Sequence, residues 1–230
     1  MSTSARPLLI GPPSGPESPY PFRMSGPVIS GFGRGSKELG IPTANLPVDA
    51  SLIPWITDIP SGVYFGWAAL HLDPSHPDYP SKHKLHNGFA VYPMVMSLGY
   101  NPFYKNTVRS AEVHILHKFS ADFYGRPLRL LITGFVREER DYASLEALVE
   151  DILFDCRVAR ASLARRGWRL KGVSLAVEVK GEGVDGDEKE GEGALDGEWL
   201  VRQLDEGELE AGEKWRKEKE EKEKQKGENQ

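Results

Sequence analysis

The sequence predicts a mainly β protein, an antiparallel barrel or sandwich with one long helix following its last strand. Three observations carry this. Apolar, β-branched and aromatic runs recur at residues 63–70, 89–100, 111–118 and 127–137, with Pro, Gly, Asn and Asp punctuation between them. No helical pattern intervenes, so successive strands lack crossover helices and are expected to pair antiparallel. Residues 144–166 then place Leu145, Leu148, Val149, Ile152, Leu153, Cys156, Ala159 and Leu163 at the three-four spacing of one apolar helix face.

Taken in order, residues 1–24 are rich in Pro, Ser and Gly and read as a disordered segment. Residues 27–32 form a short strand candidate that runs into a glycine-rich stretch, 31–45. Pro42 disfavours helix at Ile41 and suits an extended segment over 42–46. The aromatic run 63–70 follows a Pro60-Ser-Gly62 turn. Residues 71–88 are a polar, proline-rich connector. Asn101-Pro102 ends the next strand, and 122–125 is a turn between the last two. Ser144 is placed to cap the helix, and Gly167 to end it after Arg165-Arg166. The folded domain is therefore expected over 25–180, with a charged, low-complexity tail over 181–230.

Charge separates body from tail. Residues 181–230 hold 18 acidic and 9 basic side chains, a net of −9, which leaves +4 of the whole-chain −5 for residues 1–180. A mildly basic body fits a small anionic ligand and is too weak a bias for nucleic acid. The single cysteine, Cys156, excludes an intramolecular disulfide framework and points to a reducing compartment; on the helix's apolar face it reads as a small hydrophobe. No apolar run approaches the roughly 18 residues of a membrane span, and the N-terminus lacks the apolar core of a signal peptide. With only Arg6 and Arg23 near the N-terminus, a mitochondrial presequence is poorly supported, and a cytoplasmic monomer is expected.

Two clusters could carry chemistry. Gly31-Phe-Gly-Arg-Gly-Ser-Lys-Glu-Leu-Gly-Ile-Pro-Thr-Ala-Asn45 combines four glycines with Lys37, Thr43 and Asn45. Glycines bring backbone N–H groups close to an anion, and Lys37 adds positive charge. A P-loop fails, because Ile41-Pro42 stands where Lys-Ser/Thr is required, and the dinucleotide pattern fails at Ser36. A phosphate hollow and an ordinary surface turn both remain open. The second cluster is Glu112-Val-His-Ile115, a carboxylate opening an apolar strand. It reads either as an edge residue paired with Lys105 or Arg109, or as a general base at a barrel mouth. The six histidines make a poor zinc site: His114 and His117 face opposite ways on a strand, and the others lack a cysteine or acidic cage.

Together these clusters, with Tyr64-x-Gly-Trp67, Asn101-Pro-x-Tyr-Lys-Asn106 and Asp122-Phe-Tyr-Gly125, resemble riboflavin kinase in its monofunctional, fungal-like form. The resemblance spans roughly residues 26–166. It implies a six-stranded antiparallel Greek-key barrel with a C-terminal helix packed outside, and transfer of the ATP γ-phosphate to the riboflavin 5′-hydroxyl, giving FMN and ADP. It further implies that Gly31, Lys37, Thr43, Ile115, His117 and Tyr124 contact ATP. Thr43 and Asn45 would hold Mg2+ delivered as Mg·ATP, with Glu112 as base. Arg137, Arg140 and Tyr142 match positions that close over the flavin. There the chain departs from the family, with Glu138 for proline, Arg140 for lysine and Tyr142 for phenylalanine. The connector 71–88 exceeds the family's short hairpin and is expected to be peripheral. A non-catalytic flavin or nucleotide carrier on the same barrel is the alternative.

Overall fold

In the computed structural model the chain is described over residues 6–31, 40–100, 109–182 and 192–227. Its strands are β1 (Phe22–Pro27), β2 (Ala44–Leu46), β3 (Gly62–Leu70), β4 (Leu85–His86), β5 (Phe89–Tyr100), β6 (Arg109–Ile115) and β7 (Pro127–Glu138). They form one sheet in the order β1-β7-β3-β5-β6-β2, with the two-residue β4 on β5, and every strand pair is antiparallel. Strands β3, β5 and β6 are sequential neighbours, and β7 returns beside β3, which is the Greek-key order. A bridge in which Ile29 N donates to Asn45 O at 2.9 Å brings the two ends of this path together, curling the sheet into a barrel.

Both faces of the central strands are covered. Tyr64, Ala68 and Leu70 point into the barrel with Tyr92, Met94, Met96, Val113 and Ile132. Phe65, Trp67 and Ala69 point outward beneath helix α1 (Leu145–Ala164), with Val91, Val95, Leu163 and Trp168. That is why 63–70 reads as a continuous apolar run instead of an alternating one. Ser144 caps α1 by accepting from Ala147 N. Leu145 and Leu153 are over half exposed, although the periodicity put them on the buried face. Burial is concentrated in the second half, at Val158, Ala159, Ala161 and Leu163, where α1 crosses β5 and β3. Cys156 is half-buried, and burial pushes its thiol up to about 12, so it is not a thiolate at neutral pH.

Four further expectations differ from the structure. The first strand covers Phe22–Pro27 instead of 27–32, because its ladder with β7 ends where Pro27 faces Pro127 and neither residue has an N–H to give. Residues 6–12 are packed against α1 and the chain just after it, and residues 22–24 belong to β1, instead of being disordered. Ile10 N donates to Ser162 Oγ at 3.0 Å, Arg165 reaches the carbonyls of Ile10 and Gly11, and Trp168 Nε1 donates to Pro12 O at 2.8 Å. A Pro-rich segment keeps its carbonyl acceptors, and the end of α1 supplies donors for them.

The connector 71–88 braces the barrel instead of lying apart. Asp78 accepts from Ser120 N and Oγ at 2.7 and 2.8 Å, Arg126 pairs with Asp73, and Ser174 N donates to His86 Nε2 at 2.9 Å. The tail, finally, folds back as α2 (Glu198–Val201) and α3 (Glu206–Gly227). Its anchor is Arg129 on β7, which is fully buried. Arg129 lies 4.1 Å from the Phe89 ring centroid and donates to Glu208 and to the carbonyls of Leu200, Arg202 and Gln203. Among the described residues no helix is long and apolar enough to cross a membrane.

Candidate active site

A cleft of about 1120 Å³ opens between the approach to β2, the segment following β6, and α1. Thr43, Ile115, His117 and Tyr124 all line it. His117 stacks on Tyr92 with ring centroids 5.2 Å apart and meets Phe119 edge-on at 4.8 Å, giving one wall an aromatic surface. His114 Nδ1 donates to Pro42 O at 2.9 Å, which holds the approach to β2 against β6. Burial pulls both imidazoles below the ordinary histidine range, so they are neutral at physiological pH. Among the described residues the positive charge of the cleft comes from Lys118, Arg157 and Arg160, and Asp122 supplies a carboxylate. Arg160 donates to Leu116 O at 2.9 Å, while Arg157 meets Glu182 at 2.7 Å in an exposed pair that contributes little to stability. Neither arginine was singled out from the sequence. Their three-residue spacing on one helix side was the available signal, but it looks like any solvated face.

A second surface adjoins the cleft on the outside of the barrel. Ala44 and Leu46 fill the interior, so Asn45 between them faces outward; likewise Ala111 and Val113 point in and Glu112 points out. The register sets Glu112 opposite Asn45 on β2 and opposite Ser97 on β5. Asn45 is buried, and Gly31 lies against its amide so closely that a Cβ at 31 would collide with Nδ2. Glycine at 31 is therefore required by close approach. Arg109, which an edge-paired Glu112 would use, points inward and donates to the carbonyls of Ile56 and Ile59. Glu112 is instead approached by Glu139, whose carboxylate accepts from Ser97 Oγ at 3.4 Å and occupies the room left by Gly99. Burial first, and the Glu139 charge second, raise the proton affinity of Glu112 above the usual glutamate value. Glu139 is another residue the sequence did not reveal, since it lies in a loop 27 positions later. Lys37 and Lys105 lie outside the described residues.

The third group is drawn together elsewhere. Arg137 meets Asp155 at 2.8 Å, Tyr142 OH donates to Asp151 at 2.5 Å, Arg140 approaches Asp151 at 3.5 Å, and Arg6 pairs with both aspartates. The three residues matched to flavin closure thus gather on α1 in this structure, not in the cleft. Burial alone would raise the Asp151 pKa, but the Tyr142 hydroxyl and the three guanidiniums outweigh it and the value is lowered. A lowered folded pKa contributes stability that is complete above the unfolded aspartate value of about 4 and lost as pH falls through the folded one. Asp151→Asn is expected to cost about 1–2 kcal/mol at pH 7 and to flatten the acid limb of stability between pH ~5 and ~3. Urea titrations at a series of pH values check this; an unchanged acid limb would contradict it.

Among the described residues no three His, Cys, Asp or Glu side chains gather as a cation site. A basic cleft beside a partly buried carboxylate and a buried amide can hold an anionic ligand next to a proton acceptor. The comparisons narrow this chemistry. The Flavokinase family model, described as riboflavin kinase, matches residues 18–163. The chain is 60% identical over 229 residues to the riboflavin kinase of Chaetomium globosum, covering 88% of this chain and 96% of that one. It is 62% identical over 202 residues to the riboflavin kinase of Pyricularia oryzae, covering 88% and 97%. The crystal structure of riboflavin kinase from Trypanosoma brucei superposes with a TM-score of 0.50 at 26% identity, covering 66% of this chain and 85% of that one. The chain is an enzyme of the riboflavin kinase family.

Proposed function

We propose that this enzyme transfers the γ-phosphate of ATP to the 5′-hydroxyl of riboflavin, forming FMN and ADP, with Glu112 as the base. The observation that carries this reading is the register pairing of Asn45 with Glu112 on the outer barrel face, directly beside the basic cleft. In the step, the ribityl oxygen forms a bond to the γ-phosphorus, the bond to the β,γ-bridging oxygen breaks, and the hydroxyl proton passes to Glu112. A carboxylate with raised proton affinity is the better acceptor. Phosphoryl transfer otherwise asks for positioning and charge neutralisation. The approach to β2 at Gly40 and Thr43, with Arg157 and Arg160 across the cleft, supplies both for the phosphates. The family resemblance assigns Gly31 and Lys37 to the phosphates, and Ile115, His117 and Tyr124 form the side that takes the adenine. Riboflavin enters from the opposite end of Glu112, where Glu139 links the site to Arg137 at the end of β7 and to the loop bearing Arg140 and Tyr142.

The Thr43 hydroxyl and the Asn45 amide are hard, neutral oxygen donors that fit magnesium, and a side chain at residue 31 would displace that amide. When bound, the ion neutralises charge building on the phosphates. Two neutral ligands bind magnesium weakly by themselves, so the phosphates must supply the anionic ones. Isothermal titration is expected to show no tight magnesium binding to the nucleotide-free protein and clear binding of Mg·ADP; tight binding of the ion alone would contradict the assignment. The function itself is tested by incubating the protein with riboflavin and Mg·ATP and separating the flavins by chromatography. FMN with equimolar ADP is the expected product. Flavin binding with no FMN would leave only a carrier.

A further inference from the structure

Helix α3 lies across the turn that walls the nucleotide side of the cleft. Its Gly212 sits so close that a Cβ there would collide with Gly125 O, and Arg216 packs 2.8 Å from where a Cβ of Gly125 would stand. Gly125 has φ +73°, a conformation that favours glycine, and its N–H donates to Val28 O at 2.7 Å. One residue earlier, the Tyr124 ring meets Trp215 at 5.8 Å, and Lys219 Nζ lies 4.6 Å from the Tyr124 ring centroid and 5.3 Å from that of Trp215. The base of α3 is fixed by the Glu208 pair with buried Arg129. The helix is thus bolted to β7 at one end and clamps the Tyr124–Gly125 turn one to three helical turns further on. Val28, Phe123 and Tyr124 all face the cleft.

We propose that α3 is a nucleotide-positioning arm: by clamping the Tyr124–Gly125 turn from outside, it sets the affinity of the cleft for ATP without touching the reacting atoms. The inference rests on the kinase reading, which assigns this side of the cleft to the nucleotide. A turn held only by its own backbone would lose its fixed ring orientation on nucleotide binding and release, and ordering it would weaken affinity. Trp215 removes that cost by presenting a rigid partner to Tyr124, and Lys219 adds a cation over both rings. The flavin side of Glu112 lies at the other end of β6, so riboflavin binding is untouched. The helix composition agrees: outside its contact side, α3 is almost wholly charged, which suits a solvated arm.

The test uses the full chain with Trp215→Ala, Trp215→Phe and Lys219→Leu, and Leu209→Ala, an exposed position on the same helix, as control. Steady-state assays vary ATP and riboflavin separately. Trp215→Ala is expected to raise KM for ATP about threefold to tenfold, with kcat and KM for riboflavin unchanged. Trp215→Phe should restore most of the loss, and Lys219→Leu should give about a twofold rise. The inference is overturned if KM for ATP is unchanged in Trp215→Ala, or if both KM values and kcat shift together, as a general loss of folding would produce. Should the wild type itself form no FMN, the kinase reading fails, and ADP binding by calorimetry still reads the arm. Weaker ADP binding in Trp215→Ala then supports it, and equal binding overturns it.

Discussion

Glu112→Gln is expected to lower kcat by about a hundredfold to ten-thousandfold, the usual worth of a positioned base, while Mg·ADP and riboflavin bind as in the wild type. The substitution keeps size and shape and removes the charge and the ability to take a proton. The surroundings make this separable from folding. Glu112 faces out of the barrel, carries no ion pair with the inward-pointing Arg109, and is flanked by Asn45 and Ser97 through strand register. Removing its charge also relieves repulsion from Glu139, so thermal stability should hold or rise slightly. Turnover near the wild-type rate, measured under saturating Mg·ATP and riboflavin, would remove Glu112 from the mechanism.

Arg129→Ala is expected to have the largest effect on stability. The guanidinium is fully buried and satisfies Glu208 and three backbone carbonyls from the segment that includes α2. Deleting it leaves that carboxylate and those carbonyls without their donor and opens a void against Phe89, a loss of about 3–5 kcal/mol. For a chain of this size the melting temperature should fall by about 10 °C. Limited proteolysis should then cut within residues 192–227 before it reaches the barrel. An unchanged melting temperature would mean that the tail adds nothing to the fold. Because Arg129 holds the base of α3, the same variant should also weaken nucleotide binding.

Arg129 also shows where sequence reading stops. Between Leu128 and Leu130 it looks like the solvent-facing member of an alternating strand, and its burial depends on a glutamate 79 residues away. Nothing local announces that partner, so the tail read as a solvated appendage. Strands β3, β5 and β7, by contrast, were legible because their residues are apolar on both faces and end at Pro, Gly and Asn. The candidate site was half legible. Glu112, Thr43 and Asn45 stand out as polar groups in otherwise apolar extended segments, and period two places them on one outer face. Glu139, Arg157 and Arg160 do not stand out, because charged residues in loops and on helix faces are common and only the fold brings these to the site. Arg137 at the end of β7 and Arg140 and Tyr142 in the loop after it are visible as charge and aromatic ring, yet their engagement with Asp151 and Asp155 follows from where α1 packs, which spacing alone does not reveal.

The central claim is that the outward pair Asn45–Glu112 beside the basic cleft is a phosphoryl-transfer centre. Its most direct test is a single-turnover reaction of γ-labelled ATP with riboflavin and magnesium, comparing the wild type with Glu112→Gln at saturating concentrations of both substrates. Label should pass to the flavin in the wild type and be retained on ATP in Glu112→Gln, with both proteins binding Mg·ADP equally. Label transfer at equal rates in the two proteins, or no transfer in either, would contradict the account.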